Sequence, residues 1–453
     1  MLDPRLLREN PDLFKEGAKK KGADPKMIDD FLKLDKELRA VKQEVEKMRA
    51  EQNASAKDIS KLQGKEKEIA IKAMQGLKAK LKEQEEGLKP LEEKVAALIL
   101  KLPAPPAKKV PFGKTDKDNV EVRTWGTIPK FDFEIKDHVE LGRNLNILDI
   151  ERGVKVSGSR FYFLKNEGAL LELAVLRYTL EKLVKKGFTA FIPPVLVNYD
   201  AMMGTGYFPG GEEQAYAVGE SPDSDPLTPL KGGTEPPLAR GLGGQQYLVG
   251  TSEVPVTSYH SGEILNEADL PLKYAGISNC FRREAGTYGK DTHGIYRIHQ
   301  FQKVEQVIIG KNDEEESAKL HQMILGNAEE VLQDLCLPYR IVDVCTGDMG
   351  QGQYYKNDIE TWMPSRKNYG ETHSCSTFHD FQARRLNLRY RDNDGNIHFC
   401  HTLNNTCIAS PRILIPLLEI YQQKDGSVVI PEVLRAYMMG KERTHCLPAF
   451  FAV

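Results

Sequence analysis

The sequence predicts a mixed α and β chain in two parts: a long antiparallel helical hairpin, then a larger body in which strands alternate with helices. Three observations carry this reading. Apolar residues recur at heptad spacing twice between residues 27 and 101. A Pro-rich segment, Leu102 to Ala107, closes that region, and strand-like runs begin beyond it. Residues 281–306, FRREAGTYGKDTHGIYRIHQFQKVEQ, then read as two strands joined by a charged, glycine-containing loop.

The first seam is Phe31, Leu34, Leu38, Val41, Val45 and Met48; the second is Met74, Leu77, Leu81, Gln84, Leu88, Leu91, Val95 and Leu98. Spacing of this kind lines one face of a helix. Between them Gln52 to Gly64 has no sustained apolar register, so the chain can reverse there and the helices pack antiparallel. Pro90 lies inside the second helix, off the seam, and predicts a kink. From Arg49 to Lys82 there are nine basic and four acidic residues, a net +5 at the distal end. Two readings stand: the solvated face of a charged coiled coil, or a tip whose Lys57, Lys61, Lys65 and Lys72 track a phosphate backbone.

The Pro-rich segment reads as a semi-rigid connector. It places the arm at residues 1–110 and the body at 111–453. In the body, Glu167 to Lys186 is the clearest helix, with Ala169, Leu173, Leu176, Leu180 and Leu183 on one face. A strand at 188–193 follows. Residues 219–245 are rich in Pro and Gly without periodicity and predict a long surface loop.

At 453 residues the chain can bury a large core in two or three domains. Its net charge of −2 means that any surface for nucleic acid is local. No apolar run is long enough to span a bilayer, and the start, MLDPRLLRENPDLF, has no apolar signal core. Seven cysteines, an odd count, fit reduced thiols. The expectation is a cytoplasmic protein with no membrane partner.

The chemistry concentrates in the 281–306 hairpin. Arg282 ends a strand, and its guanidinium can bridge the α-phosphate of ATP and an attacking carboxylate. Glu284 can accept from the adenine amino group, Phe301 can stack on the purine, and Arg297 supplies a second cation. Downstream, Thr402 to Arg412 precedes the apolar run IleLeuIleProLeuLeuGluIleTyr. Arg412 then stands near the start of a helix, where anions are favoured, with Pro411 suited to its first turn. In Tyr369-Gly-Glu-Thr-His-Ser-Cys-Ser376, alternation puts Glu371, His373 and Cys375 on one face and Ser374 on the other, unless a bulge intervenes. Cys400, Cys407, His398 and His401 lack zinc-knuckle spacing, so no zinc is expected.

These segments resemble motifs 2 and 3 of class II aminoacyl-tRNA synthetases, in the version used by bacterial-type seryl-tRNA synthetases. Residues 281–306 resemble motif 2 and 402–421 motif 3; the helix and strand of 167–206 resemble motif 1. The resemblance covers nearly the whole chain. It implies an α+β fold, with an antiparallel sheet flanked by helices and an N-terminal antiparallel coiled-coil arm. It implies that Arg282, Glu371 and Arg412 are catalytic, and that Glu371 and Ser374 hold the Mg²⁺ that bridges ATP phosphates. Thr251-Ser-Glu253 matches the loop whose carboxylate faces the substrate ammonium, and Glu305, Asn404 and Thr406 match positions at the serine side chain. The implied partners are tRNA(Ser), held by the arm and at its acceptor end, with tRNA(Sec) as a further candidate, and a second copy of the chain through motif 1. Lys290 and His293 stand where relatives mostly have arginine, which predicts a weaker or pH-sensitive contact with the acceptor end. The alternatives are a paralogue that loads a carrier protein, which should lack the arm, and one that only binds RNA, which should have lost Arg282, Glu371 or Arg412.

Overall fold

The computed structural model describes residues 1–59, 62–219, 245–286 and 293–444. Lys61, Lys290 and all but the ends of the 219–245 loop lie outside the described residues. The chain divides into two compact units, Met1–Pro105 and Pro106–Val453.

In the first unit two helices dominate, α1 (Lys26–Ile59) and α2 (Gly64–Ile99). Lys42 pairs with Glu92 and Arg49 with Glu85, each at 2.7 Å, so the two run antiparallel. Phe31, Val45, Leu81 and Val95 are buried along the seam. The helical segment extends further into the polar stretch than the apolar register does. Glu51, Gln52, Ala54, Ala56 and Lys57 are strong helix formers, and propensity continues the helix where the seam fades. Pro90 lies inside α2, which continues through it. Lys57, Lys65 and Lys72 are exposed.

The second unit is built on an eight-stranded sheet. Its strands are β1 (Val120–Trp125), β2 (Thr189–Phe191), β3 (Leu272–Phe281), β4 (Gln300–Gly310), β5 (Tyr339–Asp343), β6 (Tyr355–Met363), β7 (Asn368–His379) and β8 (His401–Ser410). They lie in the order β1-β5-β6-β7-β8-β4-β3-β2. Every neighbouring pair is antiparallel except β2 with β3. This matches the antiparallel sheet flanked by helices that the sequence resemblance implies, with α3 (Glu167–Lys185), α4 (Glu314–Asp334) and α5 (Leu414–Tyr421) as the flanking helices.

Strand alternation sorts the two faces. Val304 and Ile308 of β4, Ile359 of β6, and Leu403 and Ile408 of β8 join the core with the helices. Lys303 and Glu305 point to the opposite face, where the recess lies. On α3 the buried face is Leu171, Val175, Leu176, Thr179 and Leu183, so only Leu176 and Leu183 of the expected face are buried. Leu173 is 58% exposed. This helix carries leucines around much of its circumference, so apolar spacing alone cannot say which side meets the sheet. Among the described residues no helix is long and apolar enough to cross a membrane.

Candidate active site

A recess opens on the sheet face over β4, β7 and β8. Arg282, Glu284, Tyr296, Phe301, Lys303, Glu371, Ser374, Thr406 and Arg412 all line it. The two strands of the hairpin pair in continuous register from Leu272↔Ile309 to Phe281↔Gln300, which fixes Arg282 at the strand exit. The Arg282 guanidinium lies 5.4 Å from the Phe301 ring and its Nε donates to the Gly250 carbonyl at 3.4 Å. Glu284 has φ of +49° and an ion pair with Arg297 at 3.3 Å. Arg160 also donates to its carbonyl oxygen, at 3.4 Å.

At the opposite wall, Arg412 donates from Nη1 to the Glu371 carbonyl at 3.0 Å and pairs with its carboxylate at 3.3 Å. Its guanidinium covers the Tyr296 ring at 4.4 Å, and Arg366 sits 4.0 Å from the same ring. Pro411 and Arg412 form a turn before α5, which begins at Leu414, rather than its first helical residues.

The bulge in the Glu371 strand is real. Ile359 pairs with His373 and Glu360 with Glu371, so Thr372 is an extra residue. Alternation is reset, and Glu371 and Ser374 line one recess while Cys375 turns to His321 on α4. Beneath them Lys356 and Asp358 form a buried ion pair at 3.0 Å. Among the described residues, the buried Oδ1 of Asp358 has no hydrogen-bond partner. Burial and the Glu371 charge push the Asp358 carboxyl up, against the pull of Lys356. Enclosure opposes ionisation of Glu371, but Arg412, Lys356 and Arg282 hold its carboxyl below the usual range. An ionised carboxylate and a hydroxyl beside an orphan carboxylate oxygen form an all-oxygen donor set, which fits Mg²⁺.

The inner end of the site is enclosed. Thr251, Glu253, Glu305 and Thr406 are all buried. On β8, Val304 pairs with Ile408 and Glu305 with Thr406, so Cys407 is a bulge that brings Thr406 opposite Glu305. Thr406 donates to Glu305 Oε2 at 3.0 Å and Thr251 donates to the same oxygen at 3.3 Å. Asn404, on the same side of β8, is buried. Glu253 accepts from the Tyr207 hydroxyl at 3.0 Å and from Gln382 Nε2 at 2.8 Å. Burial and nearby Glu305 push the Glu253 carboxyl up to about 7, against those two hydrogen bonds.

Four residues of the site were not singled out by the sequence: Lys303, Tyr207 and Gln382 at this end, and Asp358 beneath Glu371. Lys303 alone had a local signal, since Phe301, Lys303 and Glu305 alternate along one strand. Tyr207 and Gln382 reach Glu253 from 46 and 129 positions away. His293 is not at the inner site; it is exposed and bonds Asp137 at 2.9 Å. His398 is tied to Asp392 at 2.8 Å and His401 to Ser317 at 2.8 Å. Among the described residues no group of three or more His, Cys, Asp or Glu is arranged to hold a metal.

Comparison with known proteins gives the same picture along the whole chain. Residues 1–106 match the family "Seryl-tRNA synthetase N-terminal domain", and 240–421 match "tRNA synthetase class II core domain (G, H, P, S and T)". The serine–tRNA ligase of Deinococcus radiodurans is 44% identical over 98% of both chains. That of Dictyoglomus turgidum is 42% identical over 97% of this chain and 98% of its own. The crystal structure of seryl-tRNA synthetase from Pyrococcus horikoshii complexed with ATP superimposes with a TM-score of 0.88, at 38% identity, covering 99% of this chain and 100% of that one. With both domains matched and relatives covered end to end, the chain belongs to the seryl-tRNA synthetase family.

Proposed function

We propose that this chain activates L-serine with MgATP to give seryl-adenylate and pyrophosphate, then transfers the serine to the 3′ end of tRNA(Ser), with tRNA(Sec) as a further candidate acceptor. One observation carries the reading. Two buried carboxylates, Glu253 and Glu305, lie behind a recess lined by Arg282, Glu371 and Arg412, and Thr406 and Lys303 on its wall reach Glu305. The pocket suits an ammonium and a hydroxyl, and the recess suits phosphates.

In the first step a serine carboxylate oxygen attacks the α-phosphorus and pyrophosphate leaves. Arg282 holds the carboxylate against the α-phosphate, and Arg412 meets the charge on the leaving phosphates. Phe301 offers its face to the purine and Glu284 an acceptor for the adenine amino group. Glu253 takes the ammonium, while Glu305 and Thr406 take the hydroxyl. A carboxylate nucleophile has no proton to lose, so the side chains orient and neutralise rather than act as bases. Glu371 and Ser374 would hold Mg²⁺, which supplies charge neutralisation on the phosphates. A substrate without a hydroxyl leaves Glu305 and Thr406 desolvated and unpaired, and is rejected.

The matched N-terminal domain supports an RNA acceptor over a carrier protein, and the exposed lysines at the arm tip support a backbone contact. Leu173, Val184 and Ile192, exposed on the motif 1 segment, support a homodimer. The same reading puts the protein in the cytoplasm. The test is charging of total tRNA with labelled serine, with threonine and alanine as controls. Serine-only incorporation is expected. Failure of both charging and serine-dependent pyrophosphate exchange would overturn the reading.

A further inference from the structure

We infer that Lys303 is a specificity-determining residue: by counter-charging Glu305 it makes the side-chain end of the amino-acid pocket accept a neutral hydroxyl and repel a second ammonium. The inference rests on the serine pocket proposed above and deepens it.

Lys303 and Glu305 stand two residues apart on β4, so both side chains project to the same face. Lys303 Nζ lies 3.1 Å from Glu305 Oε2, with the two side chains only 6% and 3% exposed. An ion pair this enclosed keeps most of its field, because little water screens it. Three donors, Thr406, Lys303 and Thr251, converge on Oε2. Among the described residues no hydrogen bond reaches Oε1, which leaves that oxygen to accept from a substrate. Lys303 also borders the recess.

The charges in the pocket then balance for one kind of substrate. Glu253 is matched by the α-ammonium of the amino acid, and Glu305 is already matched by Lys303. A hydroxyl brings no charge and can donate to Glu305. A side-chain ammonium of the same size would meet Glu305 with a lysine beside it, and the like charge is repelled. Without Lys303, the buried Glu305 would be uncompensated, and a cation would be the best available partner. Discrimination against a cationic isostere therefore comes from a repulsive group, while hydrogen bonding alone would favour it, since charge-assisted bonds are the stronger ones.

The test uses L-2,3-diaminopropionate, which differs from serine only in carrying an amine in place of the hydroxyl, at a pH where that amine is protonated. Amino-acid-dependent pyrophosphate exchange is measured for both substrates in the full-length protein. In Lys303→Met the ratio of kcat/KM for diaminopropionate to that for serine should rise about 100-fold, as expected for removing a like charge from a buried contact. Lys303→Arg, which keeps the charge, should retain the serine preference. Lys303→Met with Glu305→Gln should lose the gain, because the acceptor is neutral again. Any misfolded fraction cancels in the ratio. If Lys303→Met is too slow for exchange, the same ratio is read from binding of the serine and diaminopropionate sulfamoyl-adenosine analogues. An unchanged ratio, or an equal loss for both substrates, would show that Lys303 only supports the fold or binds a group common to both, and would overturn the inference. Absence of serine exchange in the unaltered protein would instead defeat the proposed function.

Discussion

The two ends of the recess hold their charges in opposite ways. At the end proposed for the phosphates, Arg282, Glu371 and Arg412 are partly open to solvent, and the Glu371 side chain is 43% exposed. Opposite charges face each other there, and Glu371 stays ionised across the ordinary pH range. At the end proposed for the amino acid, Glu253 and Glu305 are buried close together, and Glu253 remains partly protonated near neutrality. One end stays charged. At the other, burial holds Glu253 back from ionising, while Glu305 is already paired with Lys303. Substitutions at the first end should cost rate, and those at the second should change proton uptake and selectivity.

The largest effect should come from Arg282→Ala. Removing the cation proposed to meet the reacting phosphate should lower kcat of serine-dependent pyrophosphate exchange about 1000-fold, with little change in thermal midpoint. An unfolding shift that accounts for the loss would break the contrast between a rate end and a selectivity end.

Next is the Lys356–Asp358 pair beneath Glu371. Lys356→Met leaves a buried carboxylate without its counter-charge and should cost about 3 kcal/mol in urea unfolding near neutral pH. Burial already raises the Asp358 pKa, so acidification lets it take up a proton and the penalty should shrink. A penalty that grows on acidification would contradict this.

Glu253 gives the sharpest separation of the two ends. Its carboxyl titrates at about 7, well above the usual range, so below that pH the empty pocket holds a proton. Serine brings an ammonium that favours the ionised form, so binding should expel the proton, and affinity should fall as pH drops below about 7. Calorimetry in buffers of different ionisation enthalpy should show proton release below neutrality, and Glu253→Gln should abolish it while raising the serine KM about 100-fold. Equal heats in all buffers would remove the distinction.

Neutralising the exposed arm lysines, Lys57, Lys65 and Lys72, should raise the tRNA KM about 10-fold and flatten its salt dependence, with serine-dependent exchange unchanged. The smallest effect is expected at His293. His293→Arg should lower the tRNA KM only a few-fold. A tRNA KM insensitive to the change would place His293 wholly with Asp137.

Much of this molecule was legible because its signals are local. The heptad seams name the arm, since a 3-4 repeat survives in any long helix pair. Arg282, Glu284, Phe301 and Arg412 sit in continuous stretches whose residue types already suggest phosphate and purine. Other features have no such stretch. The buried side of α3 was misread because leucines surround the helix and only the sheet chooses among them. The extent of α1 was underestimated because propensity, not apolar register, carries its last turns.

By itself, the sequence determined the arm, the strand order of chemical side chains within each hairpin, and the acids and bases available to the site. The tertiary structure decided how those groups are charged. Bulges at Thr372 and Cys407 reset the alternation, so that Glu371 joins Ser374 and Thr406 meets Glu305. Tyr207 and Gln382 arrive from distant segments to hold Glu253. A pattern of period two cannot foresee a one-residue bulge, and no sequence pattern states how much water a carboxylate keeps. Both follow from packing one strand against another, which happens only when the whole sheet is assembled.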